Sequence, residues 1–171
     1  MASLMQELLS TLEKEVVEYE KLLELSKRKT TILVSGKADK LQEITDEEQK
    51  IVDNINSIDK KREELINDIA DVLNKKPQEL TLKKLKELLE NQPEEQKQLE
   101  ELHSKLKLTL QSVQTLNEQN RALVEQLLEM VAFDMTLVRS MKQAPETANY
   151  DRMATNTGEL FIGSSKFDAK Q

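Results

Sequence analysis

A chain of 171 residues with 25 basic and 32 acidic side chains has a formal charge of −7, which argues against a nucleic-acid partner because phosphate binding is driven by Lys and Arg clusters. A third of the residues are charged and only 3 are Gly and 3 Pro, the composition of long helices or coiled coils. With no cysteine, neither disulfides nor thiol chemistry are available.

The N-terminal stretch MASLMQELLSTLEKEVVEYEK places Glu7, Glu13 and Glu15 among its apolar positions, with no basic residue ahead of them. That is unlike a secretory leader. No window approaches the ~18 continuous apolar residues of a membrane span. The expectation is a cytoplasmic protein without stable membrane insertion. A first helix is expected over 3–35, opened by a Ser3–Gln6 capping box, with an apolar stripe from Leu4 through Leu8, Leu12, Val16, Tyr19, Leu22 and Ser26 to Ile32. Gly36 suits the left-handed residue that ends a helix, and Asp39 suits a cap for the next. So short a connection implies antiparallel neighbours.

The second helix, 39–74, has a heptad seam: Leu41, Ile44, Ile51, Ile55, Ile58, Leu65, Ile69 and Val72, with Glu48 and Arg62 in its two gaps. Alternating steps of three and four over this length predict coiled-coil packing. A second capping box, Thr45 to Glu48, leaves a break near Ile44 open. Pro77 is expected to end this helix. A short helix over 82–91 and a long one over 93–142, begun by Pro93, follow. From Gln143 onward helical periodicity stops, and 143–171 reads as a flexible tail. The fold class is therefore all-α: an elongated antiparallel bundle of three long helices and one short one, with 1–142 as the bundle.

Residues 122–140, ALVEQLLEMVAFDMTLVRS, contain twelve apolar residues in nineteen, against the three in seven that suffice for a helix packing one face. In the register of the seam, Leu123, Leu127, Met130, Leu137 and Met141 face inward, with Val124, Val131 and Val138 beside them. Leu128, Ala132 and Met135 form a second stripe, and Phe133 lies on the other flank. Either several helices enclose the whole segment or the second stripe awaits a partner. Glu48, Arg62, Asn120 and Asp134 interrupt the seams, and either fix register or sit at wet edges.

Catalysis finds little support. No phosphate loop, activated nucleophile or metal-ligand spacing is evident, so no catalytic residue, cofactor or metal is expected. His103, the lone histidine, reads as a partly exposed packing residue. Pairs such as Glu47/Glu48, Glu63/Glu64 and Glu94/Glu95 read as solvated faces.

The stretch KADKLQEITDEEQKIVDNINSIDKKREELINDIADVL (37–73) resembles the corresponding helix of FlgN-type flagellar export chaperones, through Leu41, Ile44, Glu48, Gln49 and the pair Arg62–Glu63. The endings YDRMATNTG and SSKFDAKQ are similar to those of Gram-positive members, with a longer gap before the Gly and a final Gln where Ala is usual. The resemblance implies a chaperone that binds C-terminal segments of hook–filament junction (hook-associated) proteins in the cytosol, prevents premature assembly and delivers them to the type III export gate. It places cargo binding on the C-terminal helix, at Leu123, Leu127, Leu128, Val131, Met135 and Val138, which with Ala132 and Phe133 make the candidate site. It makes Tyr150 the candidate for gate docking. The rival expectation is a self-assembling coiled-coil scaffold, in which the surplus apolar surface closes a homodimer or larger bundle, a homodimer being open to the chaperone too when cargo is absent.

Overall fold

The structure, a computed structural model, describes residues 1–143. They form α1 (Ala2–Ser35), α2 (Asp39–Val72), one 3-10 turn (Pro77–Glu79), α3 (Leu82–Leu88) and α4 (Pro93–Gln143). The all-α class expected from the heptads holds. Several boundaries shift for identifiable reasons. Helix α1 begins at Ala2 without a side-chain cap, so the Ser3–Gln6 box is not used. Helix α2 runs unbroken through Ile44: Thr45 sits mid-helix, its hydroxyl donating to the Leu41 carbonyl at 2.8 Å, and Ile44 is buried. Asp39 is the first residue of α2 rather than its cap.

The end of α2 is set two residues before the expected position. Asn74 adopts φ 54°, while the Lys75 amide donates to the Ala70 carbonyl (2.9 Å) and the Asn74 amide to that of Asp71 (3.1 Å). This is a Schellman closure with Asn in the left-handed position. Gly36 does the same job after α1, at φ 68°. Thr81 accepts the Lys84 amide and so caps α3.

Cross-helix pairs give the directions. Glu7–Lys61 (2.7 Å), Arg28–Glu47 (3.0 Å) and Lys29–Glu48 (2.7 Å) join α1 and α2 antiparallel. Glu20–Lys105 (2.9 Å) and Ser26–Asn117 (3.4 Å) join α1 to α4 in parallel, the expected result of two reversals. At one end Met5, Leu8 and Leu9 of α1 pack with Leu65 and Ile69 of α2, Leu85 and Leu89 around α3, and Leu99 of α4. In the middle Leu22, Ile55 and Val113 meet, one from each long helix. Each such side chain contributes roughly 1.5–3 kcal/mol when fully buried.

Polar residues interrupt this core in two places. Arg62, in the α2 seam, places its Nε 3.2 Å from a carboxylate oxygen of buried Glu15, too oblique for a hydrogen bond, and also pairs with Asp59. Burial raises the Glu15 pKa above the usual carboxylate range; Arg62 opposes that shift and Asp59 adds to it. The second place is Asn120, fully enclosed. Its Nδ2 donates to the Ser26 carbonyl (3.0 Å), and its Oδ1 accepts from the Thr30 hydroxyl (2.6 Å). Glu48, Arg62 and Asn120 therefore join helices, Arg62 while still partly solvated, whereas Asp134 is exposed.

A raised native pKa means that Glu15 binds its proton more tightly folded than unfolded. Its contribution to stability is present below its unfolded value and is lost as pH rises through the folded one. Replacing Arg62 by Leu leaves the Glu15 charge unpaired at pH 7, so Arg62→Leu is expected to lower stability by about 2–3 kcal/mol there, reduced from the fully buried case because Arg62 is partly solvated. Urea unfolding at pH 4, where more of Glu15 carries its proton, should show a smaller loss, and Glu15→Gln added to Arg62→Leu should recover most of it at pH 7.

Candidate partner-binding segment of the last helix

Helix α4 buries Leu99, Thr109, Val113 and Asn120. Thr30 of α1 meets Asn120, so in this parallel register Ser35, the last residue of α1, is level with about residue 125. Leu123, Val124 and Leu127 are half-buried there. The contacts of the chain divide it after Leu127 into two units.

In the second unit every residue from Leu128 to Gln143 is helical and exposed. Leu128 is 63% exposed, Met130 62%, Phe133 67%, Met135 53% and Met141 71%, with Val131, Ala132, Leu137 and Val138 exposed as well. The second stripe, Leu128, Ala132 and Met135, is thus bare, as is Phe133. The other stripe departs from expectation: Met130, Leu137 and Met141, which the seam register turns inward, are exposed, as are Val131 and Val138 beside them. The physical reason is one of supply. Helices α1 and α2 have 34 residues each and α4 has 51, so heptad spacing continues in α4 after α1 has ended.

The chemistry of this segment is that of a surface for burial. Its charges balance: Glu129 and Asp134 against Arg139 and Lys142. The Thr136 hydroxyl donates to the Ala132 carbonyl (2.9 Å) and the Ser140 hydroxyl to that of Leu137 (2.7 Å), so both are satisfied within the helix. Contiguous exposed apolar surface of this kind marks an interaction site. The three methionines bring side chains that adapt to differently shaped partners.

Elsewhere, a groove of about 540 Å3 opens between α2 and the first unit's part of α4. Leu22, Val52 and Val124 line it with Glu48 and Arg121. The charged groups are paired, Lys29 with Glu48 (2.7 Å) and Arg121 with Glu125 (3.1 Å). His103 is exposed. Among the described residues no three of His, Cys, Asp or Glu gather as metal ligands, and no helix is long and apolar enough to cross a membrane. Tyr150 and the tail 143–171 lie, but for Gln143, outside the described residues.

The FlgN protein family matches residues 1–158. The chain belongs to the FlgN family. It is therefore a member of a family of flagellar export chaperones rather than of enzymes. No curated protein and no solved structure matches it. The match spans both units, so the exposed segment falls inside the family's extent and is not an appendage to it.

A helix of sixteen residues without tertiary packing is marginal in water. Amides of 128–143 are therefore expected to exchange with solvent much faster than those of 99–120 in the free chain. Hydrogen exchange followed by mass spectrometry checks this, and equal protection in both stretches would contradict it.

Proposed function

We propose that this FlgN chaperone binds C-terminal amphipathic segments of hook–filament junction proteins along the exposed part of α4. It keeps them from assembling early and hands them to the type III export gate from the cytosol. The observation that carries the reading is the uninterrupted exposure of large apolar side chains between Leu128 and Met141. Of the candidate residues, Leu128, Val131, Ala132, Phe133, Met135 and Val138 are exposed, while Leu123 and Leu127 are half-buried and have less surface to offer.

The mechanism is reversible burial. Covering roughly 300–400 Å2 of apolar surface contributes about 8–10 kcal/mol before the losses of association. Micromolar binding needs about 8 kcal/mol net, so further contacts must offset those losses. An affinity in that range suits a chaperone, which must also let go. Tyr150 is the residue proposed to engage the export gate.

The double substitution Leu128→Asp and Met135→Asp is expected to weaken capture of a hook–filament junction protein at least 100-fold, with unchanged helicity. Calorimetry and circular dichroism measure the two quantities, and normal binding by the double variant refutes the site. Tyr150→Ala should leave capture intact and lower export. The same exposure also suits self-assembly. Sedimentation at micromolar concentration separates the two readings: an obligate oligomer unchanged by cargo favours the scaffold, and one displaced by cargo favours the chaperone.

A further inference from the structure

Successive residues of an α-helix are about 100° apart, so the angular spread of the exposed side chains after Leu127 follows from their numbers. Phe133, Leu137, Met130 and Met141 occupy one sector. Val138, Val131, Met135, Leu128 and Ala132 occupy a second. Together they span about 260° of the helix circumference. Asp134 stands at the boundary between the sectors, and the remaining narrow arc carries Glu129, Thr136, Ser140 and Gln143. All of these residues are exposed.

One partner helix covers an apolar stripe of about 100°. A single amphipathic helix laid on this segment would leave more than half of its apolar surface in water. From this, and resting on the cargo-binding reading, we infer that the occupant is a pair of amphipathic helices from one cargo chain, each seated on one sector. The segment then becomes the inner helix of a three-helix arrangement.

The dimensions and charges describe these helices further. Sixteen residues rise about 24 Å, so each cargo helix needs roughly four turns, with apolar residues at three- and four-residue spacing. Asp134 lies at the seam between them and favours a Lys or Arg there on the cargo. Arg139 and Lys142 fall within the second sector, where their alkyl stems add apolar contact while the charges reach water.

Other occupants account for less of the surface. A second copy pairing segment to segment brings one helix and leaves the other sector bare on both copies. The remainder of this chain, 144–171, includes Pro145, Gly158 and Gly163 and lacks the helical spacing of apolar residues needed for a matching stripe.

The test uses the full chain with a photo-reactive benzoylphenylalanine placed at Phe133 in the first sector or at Ala132 in the second. Each variant is mixed with a full-length hook–filament junction protein, and the trapped peptides are mapped by mass spectrometry. Two different cargo segments, one from each position, are the expected result. Leu137→Asp and Met135→Asp should each weaken capture roughly 30-fold or more. If both positions trap the same cargo segment, or only one traps cargo while the other stays bare, the two-helix occupant is wrong and cargo binding stands. Trapping of a second copy of this chain, or of 144–171, at one position also overturns it. Failure of the unmodified chain to bind the cargo removes both readings together.

Discussion

A helix of 51 residues packed with two of 34 is the constraint from which the rest follows. Two helices of equal length joined by a three-residue turn (Gly36 closing the first) can bury each other along their length. A third helix that keeps its heptad spacing for five turns more cannot be served by the same partners. Apolar residues at those positions would be a liability in a chain that works alone. In the function proposed for this chaperone-family member they are the surface that takes the cargo. On that proposal, stability and binding draw on the same apolar spacing, buried or half-buried up to Leu127 and exposed from Leu128 on.

The polar residues in the seams serve to place that pattern. Asn120 satisfies both halves of its amide against α1. A shift of α4 by one turn would leave these groups buried without partners, at about 1–3 kcal/mol each. Arg62 and Glu15 act likewise between α1 and α2, with the difference that theirs is a charged contact sensitive to pH. Register is thereby fixed where apolar side chains alone would tolerate sliding, and α4 reaches the end of α1 at a defined residue. Which side chains α4 leaves exposed is a consequence of that alignment.

Much of the fold was legible because the heptads of α2 and the stripes of α1 and α4 are local signals of helix packing. Gly36 and Pro93 marked their boundaries for plain backbone reasons, while the Ser3 and Thr45 boxes did not, since a capping pattern has no force where apolar spacing carries the helix through it. Asn74 was overlooked because its left-handed conformation depends on the closure around it. Burial of Glu15 was hidden in a sequence full of carboxylates, although its spacing from Leu12 and Tyr19 puts it on the inward stripe. For the candidate site, the excess of apolar residues was plain and its distribution was not. Periodicity says which residues of α4 share a face with Leu123 and Leu127, but only the lengths and register of the neighbouring helices say that this face is uncovered from Leu128 on.

On the proposed function, holding the fold and holding the client fall to different parts of the chain. The core around Leu8, Ile69 and Leu99 needs no cargo, and the exposed segment contributes little to that core. The central claim is that cargo covers the exposed part of α4, and its methionines report on this without mutation. Met130, Met135 and Met141 are exposed whereas Met5 is 3% exposed. In a hydrogen peroxide time course followed by peptide mass spectrometry, the three should oxidise quickly in the free chain and several-fold more slowly with a bound junction protein, while Met5 stays slow throughout. Equal rates for the three with and without cargo would contradict the account.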